Sequence, residues 1–468
     1  MKIVFIHYHL KTGGVTTVIK QQIDSIKHDC RILVLSGEPA ENRFPADVIH
    51  IPGLGYTREQ DDSYDPKTVA ESIQNAITRR WPDGCDLIHV HNPTLAKNIN
   101  FLRILKTLQK QNPKLFLQIH DFAEDGRPAA YFEDEYVSDC HYGVINSRDY
   151  RILKKAGLKD TGLHRIINTV DGLEEMEVSG ECQNRVLYPV RARRRKNVGE
   201  AILLSTFFKE DEILTLTLPP VSPVDLAAYS KWKRFAEENR LNIDFDAGRR
   251  HRFKKLVSES KYIITTSITE GFGFSFLEPW TAGKLLWGRK LPEICSDFEN
   301  NGIRLNHLYT TLQVPLDWLD IDNVFRVWTK CIMENTLLYG YQIPEAEIKC
   351  SFDKLTKNNT IDFGLLNERF QKQIISKIIT NREAKKKLIF LNTFLTDPGK
   401  TENGQALVEH NRETVRNLYN RSQYRQTLLD IYKKVAQTQV RHRIDKDRLL
   451  GSFFDLKNFS LLKWCDDV

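Results

Sequence analysis

The chain has 468 residues, 41% apolar, 10% aromatic and 28% charged, with a formal net charge of +7. That length exceeds one ordinary domain and suits two or three with ample core, and the modest basic excess fits an enzyme of anionic small molecules better than a nucleic-acid binder. No basic block is interleaved with aromatics, and no apolar run reaches the roughly eighteen residues of a membrane span, so neither nucleic acid nor a membrane is an expected partner. The N-terminal apolar run is broken at His9 and Lys11, too soon for a secretion signal. Eight cysteines are scattered without a CxxC pair or zinc-type spacing with histidine. A reducing, cytoplasmic setting is the expectation.

In chain order, residues 2–8 read as a strand that opens through Lys11-Thr12-Gly13-Gly14 into a helix over 16–26. Strands follow at 30–35 and 47–51, a helix at 66–80, a strand at 86–90, a helix at 100–109, and strands at 115–119 and 142–145, the last leading to a helix at 148–156. The pattern restarts with a strand at 185–188, a helix at 198–208, a strand at 212–216, a helix at 231–239, a weak strand at 242–246, a helix at 252–259 and a strand at 262–267. Such alternation argues for parallel sheets covered on both faces, with ligands at the C-terminal strand ends. From about residue 366 to 439 the chain is rich in Lys, Arg, Glu and Gln at helical spacing. The expected organisation is α/β: one Rossmann-like domain over 1–175, a second over 176–335, and a mostly helical extension over 336–468 that offers a surface for homo-oligomer formation.

The chemistry concentrates in residues 266–279, Thr-Ser-Ile-Thr-Glu-Gly-Phe-Gly-Phe-Ser-Phe-Leu-Glu-Pro. A strand, a Gly-rich turn and a helix start form an anion cradle. Carboxylates at Glu270 and Glu278 would repel a bare phosphate, but suit hydroxyls on either side of a diphosphate. The bland alternative is a strand-turn-helix with surface glutamates. Three further segments point the same way: Gly13-Gly14 at a helix start, Arg191 and Lys196 after a strand, and Gln118-Ile119-His120-Asp121 at a strand end. Arg193, Arg194 and Arg195 leave the register of the basic pair open. His89 and His91 alternate at another strand end, but no third ligand accompanies them and no metal is expected.

The two glutamates, seven residues apart with Gly271-Phe272-Gly273 after the first, resemble the E-x7-E motif of retaining GT-B glycosyltransferases, the GT4-like group of glycogen synthase and sucrose-phosphate synthase. The resemblance covers roughly residues 1–300. It implies two Rossmann-like domains facing a cleft, the first on the acceptor side and the second on the nucleotide-sugar side. It places Glu270 on the donor sugar, Glu278 on the nucleotide ribose, and Gly14, Arg191, Lys196 and the Gly271, Phe272, Gly273 and Phe274 backbone on the diphosphate. His120 would meet the reacting sugar, with Asp121 orienting its imidazole or touching acceptor hydroxyls, and Gly13 and Asn92 would line the acceptor pocket. The expected reaction moves a hexose, with retention, from a nucleoside-diphosphate sugar to a hydroxyl of a soluble sugar, sugar phosphate or small polyol acid, without a metal or other cofactor. A GT-B sugar-nucleotide epimerase and an inactive binding or scaffold subunit remain alternatives, whereas an NAD-dependent dehydrogenase would need a GxGxxG fingerprint that is missing. Departures from the family pattern are Pro279 after Glu278, residues 284–289 in place of an apolar strand, and a short stretch between Lys196 and Glu270. Residues 289–292 are expected to supply a substitute pocket wall. Asp244-Phe245-Asp246 and Asp320-Ile321-Asp322 lack the context of a DxD metal site and are read as structural.

Overall fold

The computed structural model describes residues 1–39, 44–57, 64–111, 114–172 and 184–465. The chain forms two compact units, Met1–Thr169 with Tyr419–Phe453, and Val170–Leu418 with the residues from Phe454 on. Among the described residues no helix is long and apolar enough to cross a membrane.

The first unit holds a seven-stranded parallel sheet: β1 (Lys2–His7), β2 (Arg31–Ser36), β3 (Asp47–His50), β4 (Leu87–His91), β5 (Leu115–Ile119), β6 (His141–Val144) and β7 (Leu163–Arg165), in the order β3-β2-β1-β4-β5-β6-β7. Its central strands β4 and β5 are buried throughout: β5 is apolar but for Gln118, and β4 buries His89 and His91 with hydrogen-bond partners, while the edge strand β3 is not buried. Helix boundaries follow local chemistry. Asp65 accepts from the backbone N–H of Thr68, Pro66 occupies the first turn, and Arg79 and Arg80 sit in the last turn of the helix Pro66–Arg80.

Alternate residues of β1 feed two cores. Val4 and Ile6 join one with the helices Pro66–Arg80, Phe101–Lys110 and Ser147–Lys155. Ile3 and Phe5 join another, to which the first half of the chain contributes one helix, Gly14–Ile26. The remainder of that face is covered by Tyr424, Leu428, Ile431, Tyr432 and Val435 of the helix Arg421–Gln437. Leu449 and Phe453 of Lys446–Phe453 join the opposite core. Residues 336–468, expected as a separate extension, are thus divided between the two units, because a doubly wound sheet left half bare would cost its apolar burial.

The second unit holds a five-stranded parallel sheet: β8 (Arg185–Arg191), β9 (Ile213–Leu218), β10 (Ile243–Asp244), β11 (Ser260–Thr265) and β12 (Leu286–Gly288), ordered β10-β9-β8-β11-β12. A separate antiparallel pair joins β13 (Gln313–Pro315) to β14 (Thr360–Asp362). Residues 284–289, expected to depart from the strand pattern, supply β12, which pairs in parallel with β11 from Leu286 to Gly288. The two Asp-x-Asp sequences are tied into the scaffold. Asp244 pairs with Arg185 at 2.8 Å, Asp246 accepts from Tyr229 at 2.8 Å and Lys233 at 2.9 Å, and Asp320 caps the helix Ile321–Leu337.

Candidate active site

In each unit the expected site residues lie at C-terminal strand ends beside the reversal of strand order, between β1 and β4 in the first and between β8 and β11 in the second. Loops diverge at such a point and leave backbone groups free for ligand.

In the second unit β8 ends at Arg191, and a 3-10 turn, Arg194–Lys196, leads through left-handed Asn197 (φ 51°) into the helix Val198–Ser205. This turn is tied to the loop after β11. Thr266 Oγ1 donates to the carbonyls of Lys196 and Asn197 at 3.1 and 3.0 Å, Tyr188 donates to the Lys196 carbonyl at 2.5 Å, and the Ile268 N–H bonds the Arg195 carbonyl at 3.0 Å. These bonds hold the Lys196 ammonium against the Glu270 carboxylate, where both side chains are largely buried. Burial works against the charge of Glu270, but Lys196 and Arg195, with a hydrogen bond from Lys196, hold its carboxyl below the usual carboxylate range.

The basic residues of this segment have different surroundings. Arg194 is buried, donates to both oxygens of Glu368 at 2.6 and 2.8 Å and bonds the Cys465 carbonyl, so its charge is consumed inside the unit. Arg195 acts on Glu270 together with Lys196, a role that the sequence did not assign to it. Arg191 is exposed at the strand end and donates to the Pro219 carbonyl at 3.3 Å; it is not drawn into the Lys196–Glu270 pair.

Beyond Glu270 the chain turns through Gly271 and Phe272 to Gly273, whose φ of 92° favours glycine. Phe272 packs edge-on against Phe274 and Phe298. The helix expected after the turn is a 3-10 turn, Phe274–Phe276, followed by the single turn Glu278–Thr281. Pro279 is tolerated because a first-turn residue has no intrahelical N–H bond to lose. Left-handed Gly283, whose space is closed by Arg412, then ends the element. Anion binding here would therefore draw on local N–H groups rather than on a long helix dipole. Glu278 is raised to about 7 by burial, with Glu270 adding to the shift and Lys196 opposing it.

Arg289, expected with its neighbours to form a pocket wall, is instead a buried tie. Its guanidinium donates to both oxygens of Glu200 at 2.8 and 2.6 Å and both of Asp362 at 2.8 and 2.7 Å.

In the first unit the helix Gly14–Ile26 starts without a side-chain cap and without an acidic residue in its first turn. Gly13 has φ −179°, which any residue adopts, and a Cβ on Gly14 would meet nothing within 4 Å. These glycines therefore leave the helix start uncrowded and make no left-handed turn. Asn92 (φ 53°) is buried, and its Oδ1 accepts from the backbone N–H groups of His120 and Asp121 at 2.8 and 3.2 Å. The amide expected in an acceptor pocket thus braces the β5 end. Asp121, expected to orient the His120 imidazole, pairs with Arg127 at 2.7 Å, while His120 Nε2 meets His91 Nδ1 at 2.8 Å. Burial lowers His120 to about 4, with Asp121 opposing the shift, so the ring is neutral at pH 7. His89 lies deeper, between Tyr432 and Gln118 at 2.9 Å each. Among the described residues no three His, Cys, Asp or Glu side chains are grouped to hold a metal ion.

No family model matches the chain. It is similar to mannosylglucosyl-3-phosphoglycerate synthase of Petrotoga mobilis, 26% identical over 422 residues that cover 81% of each chain. Among solved structures, sucrose-phosphate synthase of Thermosynechococcus elongatus superposes with a TM-score of 0.51 at 12% identity over 92% of this chain and 98% of that one. A Rickettsia africae glycosyltransferase gives 0.55 at 12% identity over 93% and 99%. HepE of Anabaena, solved with UDP-glucose, gives 0.52 at 12% identity over 92% and 99%. Two Rossmann-like sheets with this strand order, matched along nearly the whole chain by these structures, give the chain the GT-B fold.

Proposed function

We propose that the chain transfers a hexose, with retention and without a metal, from a nucleoside-diphosphate sugar to a hydroxyl of a small soluble acceptor carrying phosphate or carboxylate groups. The observation that carries the reading is Lys196 held against Glu270, with Glu278 under the influence of both charges, at the β8 and β11 strand ends. Lys196, Arg195 and the N–H groups of Gly271–Phe274 would take the diphosphate and stabilise its charge as the glycosidic bond breaks. Glu270 would accept hydrogen bonds from the donor sugar, and Glu278 from the ribose. The acceptor class follows the name of the Petrotoga relative, a synthase of a phosphoglycerate glycoside, and agrees with the net charge of +7.

The test is a thermal-shift screen against UDP-, GDP-, ADP- and dTDP-hexoses, followed by mass spectrometry of reactions with phosphoglycerate and its glycosides. Stabilisation by at least one donor is expected, since a ligand at 100 times its Kd adds about 2.7 kcal/mol to the folded state. Transfer should give a product heavier by one hexose, carry the donor's anomeric configuration and persist in EDTA. Absence of stabilisation by every donor sinks the reading, and conversion of the donor sugar without acceptor would make the protein an epimerase.

Nucleoside-diphosphate affinity should also depend on pH. Glu278 is largely protonated below about 7 in the free protein, and its carboxylate is the stronger acceptor for a ribose hydroxyl. Calorimetry should therefore show affinity rising as pH increases through about 7, and a flatter profile in Glu278→Gln. An unchanged slope in that variant removes Glu278 from the ribose.

A further inference from the structure

His91 and His120 end adjacent strands, and the β4–β5 register places His91 opposite Gln118, so His120 lies two residues past that pairing. The two rings are nearly parallel, with centroids 5.1 Å apart and an interplanar angle of 15°. His91 Nδ1 lies 2.8 Å from His120 Nε2. On its other side His91 stacks on His89 at 4.4 Å and 29°, and Phe5 lies at 6.0 Å and 17°. The ring of His91 is thus fixed in plane and position by its neighbours, with no freedom to turn its nitrogens toward other partners.

Burial keeps both rings neutral, His91 well below its ordinary value and His120 at about 4. Two neutral imidazoles that meet through one nitrogen each share a single proton: one nitrogen must donate and the other accept. His91 Nε2 is buried with no hydrogen-bond partner among the described residues. If its proton were there, an N–H would be orphaned in the core, the rarer and costlier defect; an unpaired lone pair costs less. The proton of His91 therefore belongs on Nδ1, and it is donated to His120 Nε2.

We propose that His91 is a positioning residue that fixes His120 as the Nδ1–H tautomer, so that His120 presents a hydrogen-bond donor to its ligand. The consequence is a specificity statement. The ligand atom facing His120 must be an acceptor, such as a hydroxyl oxygen lone pair or an anionic oxygen. The ring adds no positive charge and takes up no proton. This inference rests on the proposed role of His120 against the reacting sugar, but its primary test does not.

Long-range 1H–15N NMR of the full-length protein reads the tautomer of His120 directly, assigned by comparison with His120→Gln. The expected result is a protonated Nδ1 in the parent and in His91→Asn, whose amide N–H can replace His91 Nδ1–H. In His91→Phe the ring stack is kept but the donor is lost, so His120 Nε2 keeps an unbonded lone pair and its 15N shift should move away from the hydrogen-bonded parent value. Turnover should fall about fivefold in His91→Phe, as expected for one neutral hydrogen bond, and recover in His91→Asn, with equal melting temperatures showing that both variants fold. A parent with Nε2 protonated, or a His120 Nε2 shift unchanged in His91→Phe, overturns the inference. A His120 Nε2 shift that moves as expected with turnover unaltered upholds the inference and instead removes His120 from the reacting sugar.

Discussion

Glu270→Ala is expected to lower hexose transfer by about 10²- to 10³-fold, the cost of losing one preorganised polar contact to a transition state, while the protein stays folded and still binds free nucleoside diphosphate. The fold should survive because the charge left behind has an heir. Lys196 loses its partner, but the same change removes one of the two influences that raise Glu278 to about 7. Glu278 then ionises more readily and offsets the ammonium. Diphosphate binding should survive because Lys196, Arg195 and the backbone after Glu270 are untouched, and Lys196 no longer has a protein carboxylate competing with phosphate for it.

Two measurements decide this. Single-turnover kinetics with saturating donor should show the loss in the chemical step, and calorimetry with nucleoside diphosphate should show affinity equal to or tighter than the parent's. Transfer within tenfold of the parent means that Glu270 is not in the reacting centre. Loss of nucleotide binding together with transfer means that the carboxylate organises the loop rather than the sugar. Lys196→Ala serves as the contrast: it should weaken nucleotide binding as well as transfer.

The alternation of strand and helix made both sheets legible, because strands buried on two faces must be apolar almost throughout. What the sequence left dark is non-local. The helical spacing of residues 421–437 predicts a helix, but nothing in it says that Tyr424, Leu428 and Val435 cover a face of the first sheet, some four hundred residues away along the chain. β12 was hidden by its length of three residues and by Lys284 at its approach. At the site, Glu270, Glu278 and Lys196 stood out by spacing and chemistry. Arg194 and Arg195 looked alike in the sequence; only the buried Glu368 opposite one of them separates a structural guanidinium from one near Glu270. Arg289 likewise read as part of a pocket wall because its partners, Glu200 and Asp362, are far from it in sequence.

That tie supports the second large expected effect: Arg289→Met should destabilise the fold by about 3–5 kcal/mol, the cost of stripping the partner from buried charge. Glu200 is fully buried and Arg289 is 4% exposed, so water cannot replace the guanidinium. Four hydrogen bonds to two carboxylates disappear at once, and Tyr309, which donates to Glu200 at 2.7 Å, cannot neutralise it. Burial already pushes Glu200 up against the opposing pull of Arg289, so in the variant it must either protonate or break the packing. Urea unfolding measures the loss, and the variant's deficit should shrink as pH falls and the stranded carboxylates take up protons. The combination Arg289→Met, Glu200→Gln and Asp362→Asn should regain much of the stability, because no unpaired charge then remains. A single-variant loss below about 1 kcal/mol would place the network among ion pairs that merely break even. The effect reaches the site through one helix. Glu200 lies in Val198–Ser205, and it also accepts from Asn197 at 2.7 Å, the left-handed residue that directly follows Lys196. Releasing Glu200 from Arg289 therefore loosens the turn that holds Lys196 on Glu270, and nucleotide affinity should fall in Arg289→Met even at temperatures where the protein remains folded.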